Sequence, residues 1–389
     1  MAEVTNFEHN GVTIETTESP EAMGGLSDNV VGLVGTAPNA GLGIPLNSPF
    51  RINTDTLAGL LDPTGAEAGT LYLVVKNILK VVKCPIYVVV VEKGATAADT
   101  INNVIGGVDA ESGQVLGIPA LANAPEVPTI IGAPGFSSEQ SVHSELASLA
   151  KRIFCRVVLD GKDVPVAGQV LNSQAIGGAE LGYDRCYVVH QMPAVYSKVA
   201  KGNVFLPPSS LAIAALASVK QWESPGNQVT YAADVSRTVE YNILDKSTEG
   251  DLLNKYGVSY YARTSLGGFS LIGNRSITGK FISYVGLEDA LARKLVGAAQ
   301  KVMARNLTYS FMKQEVERID AWLQTLVADE TIPGGSVYLH PELNSVEAYK
   351  NGTWYLVIDY GRYAPNEHMI YQLNASDAII EEFLTEVLK

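Results

Sequence analysis

Cysteine is scarce in this sequence, because 389 residues contain three of them, at positions 84, 155 and 186. An odd and sparse set excludes the disulfide framework that staples small secreted domains. Cys84 and Cys155 stand at the edges of apolar segments, where cysteine packs as a small hydrophobic residue. The sequence therefore indicates a chain that folds without disulfides and suits a reducing cytoplasm.

Positive charge is also in short supply. The 28 lysines and arginines face 41 aspartates and glutamates, for a net charge of −13. Such a chain repels phosphate backbones, so we expect no nucleic-acid partner. The nearest approach to a basic patch lies along one predicted helix and comprises Arg293, Lys294, Lys301 and Arg305. We interpret it as a solvated or partner-facing helix surface.

Long hydrophobic runs are missing. The longest apolar segments are interrupted by lysine or proline and stay below the roughly 20 residues that span a bilayer. Residues 1–20 have neither a basic start nor an apolar run, so they do not look like a signal peptide. We expect no membrane insertion.

Known catalytic and cofactor patterns are missing as well. The sequence contains no Gly-x-Ser-x-Gly elbow, no helical histidine pair and no Cys-x-x-Cys, so we expect no metal and no cofactor. Residues 268–276 have the glycine spacing of a phosphate loop, but Asn274 replaces the lysine that such a loop needs. His190 ends an apolar strand and is interpreted as structural. A triad assembled from distant residues stays open at this point.

The chain is long enough for two or three domains, and its sequence contains both helix and strand patterns. Apolar segments with strand character alternate with helical patterns as far as residue 220. The predicted strands are 30–35, 86–91, 127–131, 153–159 and 185–190, and the predicted helices are 66–82, 138–152 and 209–220. Near-continuous apolar strands separated by helices predict a largely parallel sheet covered on both faces.

After residue 280 the pattern changes. Two amphipathic helices, 287–303 and 312–328, precede three segments with strand character at 336–339, 354–360 and 368–373. Pro333 and the two glycines after it separate the helices from the strands. Helices followed by strands predict a separate C-terminal α+β domain.

Both chain ends carry apolar residues. Near the start, Val12 and Ile14 alternate with Thr13 and Glu15, which is the period of a strand. An isolated strand cannot satisfy its own backbone, so it must join a sheet of its own chain or of a neighbour. Near the end, the apolar residues are Ile379, Ile380, Phe383, Leu384 and Val387. Chain ends fray unless they are tied down, so both ends are predicted to be arms.

Short motifs along the chain point to a family. A turn after a helix contains Trp222, Ser224, Pro225 and Asn227, and a later stretch reads Gly273-Asn274-Arg275. These motifs resemble the contractile phage tail sheath family, which includes R-type pyocin sheaths. Other matching parts are the segments 11–15 and 32–38 near the start, the helix pair and the segment 356–367. The resemblance is clearest over 205–375. Ile272 and Ser276 depart from the family's tryptophan and threonine.

This resemblance implies a fold of the α/β plus α+β class. The middle α/β domain would have a subtilisin-like topology without its triad and would face outward, while the C-terminal α+β domain would face an inner tube. Extended N- and C-terminal arms would add strands to neighbouring subunits, and the apolar residues of both chain ends are the candidates for those inter-subunit strands. Arg293, Lys294, Lys301 and Arg305 are the candidate tube-facing residues.

The implied function is structural. Copies of the chain would stack in rings, hexameric by resemblance, polymerise around an inner tail tube and contract by rigid-body rearrangement to drive the tube through a target envelope. The implied partners are the chain itself, the inner tail tube protein, and baseplate and tail terminator proteins, in a virion tail assembled in the bacterial host cytoplasm.

We predict an N-terminal arm at 1–25, an N-terminal part of the body at 26–95, a middle α/β domain at 96–280, a C-terminal α+β domain at 281–374 and a C-terminal arm at 375–389. Two alternatives stay open on the sequence alone. One is a catalytically active subtilisin-like α/β hydrolase, which requires a reactive serine. The other is a different self-assembling shell protein, which would have no inner tube.

Overall fold

A computed structural model describes residues 22–176 and 182–388. The predicted arm residues Val12, Thr13, Ile14 and Glu15 lie outside them. The strands of the described ranges are β1 (Val31–Thr36), β2 (Phe50–Ile52), β3 (Ile86–Val91), β4 (Gly107–Val108), β5 (Val115–Leu116), β6 (Ile130–Gly132), β7 (Arg156–Asp160), β8 (Cys186–Val189), β9 (Pro193–Ser197), β10 (Gly202–Phe205), β11 (Gln228–Val229), β12 (Asp234–Val235), β13 (Val258–Arg263), β14 (Phe269–Ile272), β15 (Gly335–Leu339) and β16 (Leu356–Tyr360).

The α-helices of these ranges are interspersed with the strands as far as β14, and the two long helices α8 and α9 then follow one another. They are α1 (Asp55–Gly59), α2 (Leu71–Val81), α3 (Ala97–Ile105), α4 (Gln140–Ile153), α5 (Val166–Gln174), α6 (Ser209–Ser218), α7 (Glu249–Lys255), α8 (Ile282–Gln300), α9 (Tyr309–Ala328), α10 (Val346–Lys350) and α11 (Asp377–Val387). None of them is long and apolar enough to cross a membrane.

One large sheet organises the molecule. Its strand order is β11-β14-β13-β8-β7-β6-β1-β3-β2. The six central strands, β13 to β3 in that order, are parallel to one another, and antiparallel strands close both edges. The predicted largely parallel sheet is confirmed. Residues 26–95 and 96–280 both supply strands to it, so both ranges belong to one folded body.

Side chains of the central strands alternate between two hydrophobic cores. In β1, Leu33 packs with α2 and α6 on one face, and Val34 packs with α3 and α4 on the other. Every residue of β1 and β3 is buried, which explains why these strands read as unbroken apolar runs. α6 is buried along nearly its whole length because it lies between the sheet and α2.

A smaller C-terminal unit is built on α8 and α9. Ile282, at the start of α8, belongs to the core of the large sheet, whereas Leu291 further along packs with Trp322 of α9 and with the β15–β16 pair. One continuous helix therefore joins the two units. Two of the three predicted strands are present, but residues 368–373 form no strand, and within residues 22–176 and 182–388 no strand pairs with them.

Candidate functional site

The motif residues that carry the family resemblance lie side by side at one edge of the large sheet. β11 pairs with β14, and the Asn227 amide donates to the Leu271 carbonyl at 2.7 Å, so the first motif precedes one strand and the second follows the other. The Ser224 hydroxyl donates to Oδ1 of Asn274, and the Gly226 amide donates to Ser224 Oγ at 3.1 Å. A Cβ at Gly226 would collide with the Asn274 side chain, so the turn requires glycine there.

The remaining motif residues fix this turn to its surroundings. Trp222 packs against the C-terminal core and Pro225 is buried. Gly273 has a φ of 133°, and its carbonyl accepts a bond from the Tyr187 hydroxyl at 2.8 Å. A side chain at position 273 would also strike Ser259 on the neighbouring strand. The motif therefore serves as a structural joint between the sheet edge and the C-terminal unit.

Arg275 connects this joint to the chain's last segment. Its Nε and Nη2 atoms donate to the carboxylate of Glu367 at 2.6–3.1 Å, and its Nη1 donates to the Gly279 carbonyl at 2.8 Å. The guanidinium also stacks over Phe281, 4.1 Å from the ring centroid. A two-oxygen grip with a stacked guanidinium is the geometry that arginine supplies and lysine cannot. We call this contact the clasp.

A second fastening lies just before the clasp. Arg362 Nη1 donates to Glu288 of α8 at 2.7 Å, and its guanidinium stacks on Tyr284 at 4.4 Å. The chain leaving β16 is therefore held to the body at Arg362 and again at Glu367. Beyond these two points, residues 369–388 are all exposed.

The predicted C-terminal arm strand is wrong in its secondary structure. Residues Ile379, Ile380, Phe383, Leu384 and Val387 lie on the helix α11. Their spacing of one and three residues repeats every turn of a helix, and Asp377 in the first turn favours the helix N-terminus. These apolar side chains are unburied in this structure, since each is 48–67% exposed.

The candidate tube-facing residues separate into two groups. Arg293 is wrong as a tube contact, because its guanidinium turns inward and donates to the Phe154 carbonyl and to the Gln221 side chain. Lys294 is half-buried, with its Nζ beside Gly24. Lys301 and Arg305 are exposed where α8 gives way to α9. The structure thus leaves these last two on an accessible surface.

Arg293 belongs to a buried charge network between the sheet and α8. Asp289 of α8 is 1% exposed and accepts from Nε and Nη2 of Arg185 at 3.1 and 2.8 Å. Burial raises the pKa of Asp289, against the pull of Arg185, Arg293 and Arg156. Burial also lowers the pKa of Arg156, in β7, to about 10. Sequence reasoning missed this network, since its members are scattered polar residues in otherwise ordinary segments.

No catalytic arrangement is apparent in the described ranges. His143 Nδ1 contacts the Tyr183 hydroxyl at 2.8 Å, and within these ranges no serine hydroxyl hydrogen-bonds to a histidine ring. Asp160, at the end of β7, accepts from the Ser137 hydroxyl at 2.7 Å and from the Ser209 amide at 2.8 Å, so it anchors backbone. Residues 22–176 and 182–388 also contain no cluster of His, Cys, Asp and Glu suited to a metal.

His190 is buried, and neither ring nitrogen has a side-chain hydrogen-bond partner among the described residues. Burial lowers its pKa to about 4, and the nearby Arg237 acts in the same direction, while Asp163 and Glu249 oppose it. The ring is therefore neutral at pH 7, and charging it costs stability.

The architecture is that of contractile sheath subunits. A chain of an extracellular contractile injection system sheath complex (PVC) in the contracted state matches with a TM-score of 0.71, covering 96% of this chain and 99% of that one at 16% identity. The contracted helical sheath of the anti-feeding prophage matches with a TM-score of 0.68 at 17% identity, covering 94% and 99%.

Sequence relatives agree with the fold. The chain is 24% identical to a putative prophage major tail sheath protein of Pseudomonas aeruginosa strain UCBPP-PA14, over 93% of this chain and 94% of the relative. It is also 24% identical to the tail sheath protein of Escherichia phage P2, over 99% of each. No family model matches the sequence. The resemblance inferred from the motifs is confirmed: the chain is similar to tail sheath proteins along nearly its whole length, and its fold is similar to that of contractile injection system sheaths.

Proposed function

We propose that this protein is the non-enzymatic building block of a contractile tail sheath, which polymerises around an inner tube and contracts to drive that tube through a target envelope. The observation that carries the proposal is the full-length similarity to tail sheath proteins in both sequence and fold. A second feature supports it: the exposed apolar surface of residues 369–388 is not covered by any other part of the chain that the structure describes. A patch of this kind marks an interaction surface.

Strand exchange would join the copies. β15 and β16 form a two-stranded sheet, and among the described residues neither outer edge has a partner. Two strands alone are marginally stable, and open edges accept further strands. The segment 366–373 would be one strand that this chain donates to a neighbour, and Val12 to Glu15 would be a second. Each added backbone hydrogen bond contributes about 0.5–1.5 kcal/mol.

Contraction would then be a change of packing between rigid bodies. The buried network around Asp289 and the continuous helix α8 tie the large sheet to the C-terminal unit, so one subunit moves as a whole. The arms would keep copies connected while bodies rotate. The extended sheath must store the free energy of contraction, so no nucleotide is required.

Its partners would be further copies of itself in stacked, hexameric rings, an inner tail tube protein, and baseplate and terminator proteins. Lys301 and Arg305 are the remaining candidates for the tube-facing surface. The protein would reside in a virion tail after assembly in the host cytoplasm, with no nucleic acid and no membrane bound. We retain as parts of this proposal the arms at 1–25 and 375–389, the C-terminal domain at 281–374 and a subtilisin-like topology for 96–280, with 26–95 as the N-terminal part of the same body.

Negative-stain electron microscopy of the purified, concentrated protein tests the proposal. We expect hollow striated tubes or rings of uniform width, and we expect deletion of residues 1–18 to abolish them. A monodisperse monomer at every concentration, together with labelling by a serine-directed probe, would overturn the proposal in favour of a hydrolase. Tubes that never enclose a tube protein would indicate a different shell.

A further inference from the structure

The C-terminal helix α11 is an amphipathic element that packs on nothing among the described residues. Its apolar side chains, Ile379, Ile380, Phe383, Leu384 and Val387, cover one face of the helix. The opposite face is acidic, with Asp377, Glu381, Glu382 and Glu386. An isolated helix of 11 residues is marginal in water, so α11 needs a surface that covers its apolar face.

A groove of matching character lies at the far end of the C-terminal unit. It is a cavity of about 760 Å³ between the end of α8, the start of α9 and the loop before β16. Leu295, Phe311, Trp354 and Leu356 form its apolar walls, and the Phe311 and Trp354 rings lie 5.8 Å apart. We call this the hairpin groove. Its walls are held in place, since the Tyr349 hydroxyl donates to the Leu307 carbonyl at 2.8 Å.

The charges of the two surfaces are complementary. Four acidic residues and no basic residue lie within α11. The charged residues that line the hairpin groove are Arg305, Lys350, Arg318 and Glu315. Arg318 and Glu315 form a buried ion pair at 2.5 Å, so Arg305 and Lys350 leave the rim net positive. Opposite charges around an apolar contact favour the correct pairing and its orientation.

We propose that the hairpin groove of one copy receives α11 of a neighbouring copy. α11 of the same chain does not occupy this groove, because none of its side chains is buried and none lines the cavity. Residues 362–367 are fastened near the start of α8, where Arg362 pairs with Glu288, whereas Ala298 at the groove lies ten residues further along that helix. This inference rests on the proposed function, because it requires neighbouring copies.

Cross-linking between two differently tagged full-length chains tests the occupant. One chain carries Leu384→Cys in α11 and the other Ala299→Cys in the exposed groove wall. The native cysteines are buried, so a short bismaleimide should react at the introduced ones. We expect a cross-linked heterodimer on assembly. A chain bearing both cysteines that links only to itself would overturn the neighbour assignment.

Assembly measurements test the contact without a cross-linker. Phe383→Ala on the apolar face should raise the protein concentration needed for tube formation at least ~10-fold, whereas Thr385→Ala on the opposite face should change it less than about twofold. Ala299→Trp, which fills the groove, should match Phe383→Ala. If wild-type protein forms tubes and these variants assemble equally well, the inference is wrong and the sheath function stands.

Two further outcomes are distinguishable. Failure of the wild-type chain to form tubes would count against the proposed function itself. If Ala299→Trp assembles normally but no longer encloses inner tube protein, the groove binds the tube rather than α11, which also overturns the inference.

Discussion

The clasp between Arg275 and Glu367 makes a quantitative prediction about the C-terminal segment. Replacing Arg275 with alanine removes the two-oxygen grip on Glu367, the bond to the Gly279 carbonyl and the stack on Phe281. The Arg275 and Glu367 side chains are 33% and 25% exposed. Their coupling should therefore fall between the 0–1 kcal/mol of surface ion pairs and the roughly 3–5 kcal/mol of buried ones, at about 1.5 kcal/mol. That free energy corresponds to about a tenfold change in the open population of the segment.

Chymotrypsin cleavage, below the concentration at which the protein assembles, measures this population. Tyr363 lies between the two fastening points and should be cut about tenfold faster in Arg275→Ala and in Glu367→Gln, with no further gain in the double variant. Tyr371 lies beyond the clasp, is exposed, and should be cut at an unchanged rate, which supplies an internal control. Arg275→Lys should resemble alanine, because lysine keeps the charge but loses the paired geometry.

Two results would refute this reasoning. Unchanged cleavage at Tyr363 would mean that the clasp does not hold the segment, and strictly additive effects of the two single variants would mean that the residues act separately.

Three other perturbations have defined outcomes. Asp289→Ala should lower the free energy of unfolding in urea by about 3–5 kcal/mol, because it leaves buried arginines without their counter-charge. The control Asp28→Ala removes an exposed ion pair and should cost at most about 1 kcal/mol. Similar losses for the two variants would contradict the role of the network. His190 has a folded-state pKa of about 4 against an ordinary 6.5, so below pH 6.5 the unfolded state takes up a proton that the folded state does not. The free energy of unfolding should therefore be unaffected by this group above pH 6.5 and fall by about 3 kcal/mol as the pH drops toward 4. His190→Phe should remove this pH dependence from the unfolding free energy. Lys301→Glu, at a position outside the hairpin groove, should weaken co-sedimentation with inner tube protein while tubes of sheath alone still form, and normal co-assembly would remove Lys301 from the tube-facing surface.

Much of the architecture followed from local pattern. The unbroken apolar runs at 30–35 and 86–91 predicted strands buried on both faces, and the structure places them next to each other in the parallel part of the sheet. The helix pair after residue 280 followed from helical spacing. Helical spacing was also present at 379–387, where the expectation of a strand, taken from resemblance to strand-exchanging arms, overrode it.

Tertiary structure alone decided which charged residues are accessible and which are joined. Arg293 in α8 and Lys301 at its C-terminal end look alike in sequence, yet the Arg293 guanidinium bonds to the Phe154 carbonyl and the Gln221 side chain, whereas Lys301 is exposed. Arg275 and Glu367 are 92 positions apart, and no local signal pairs them. Hydrophobic period is a local property that burial imposes on each element, so sequence determines it directly. The partner of a charge depends on how distant elements pack, which only the folded chain specifies.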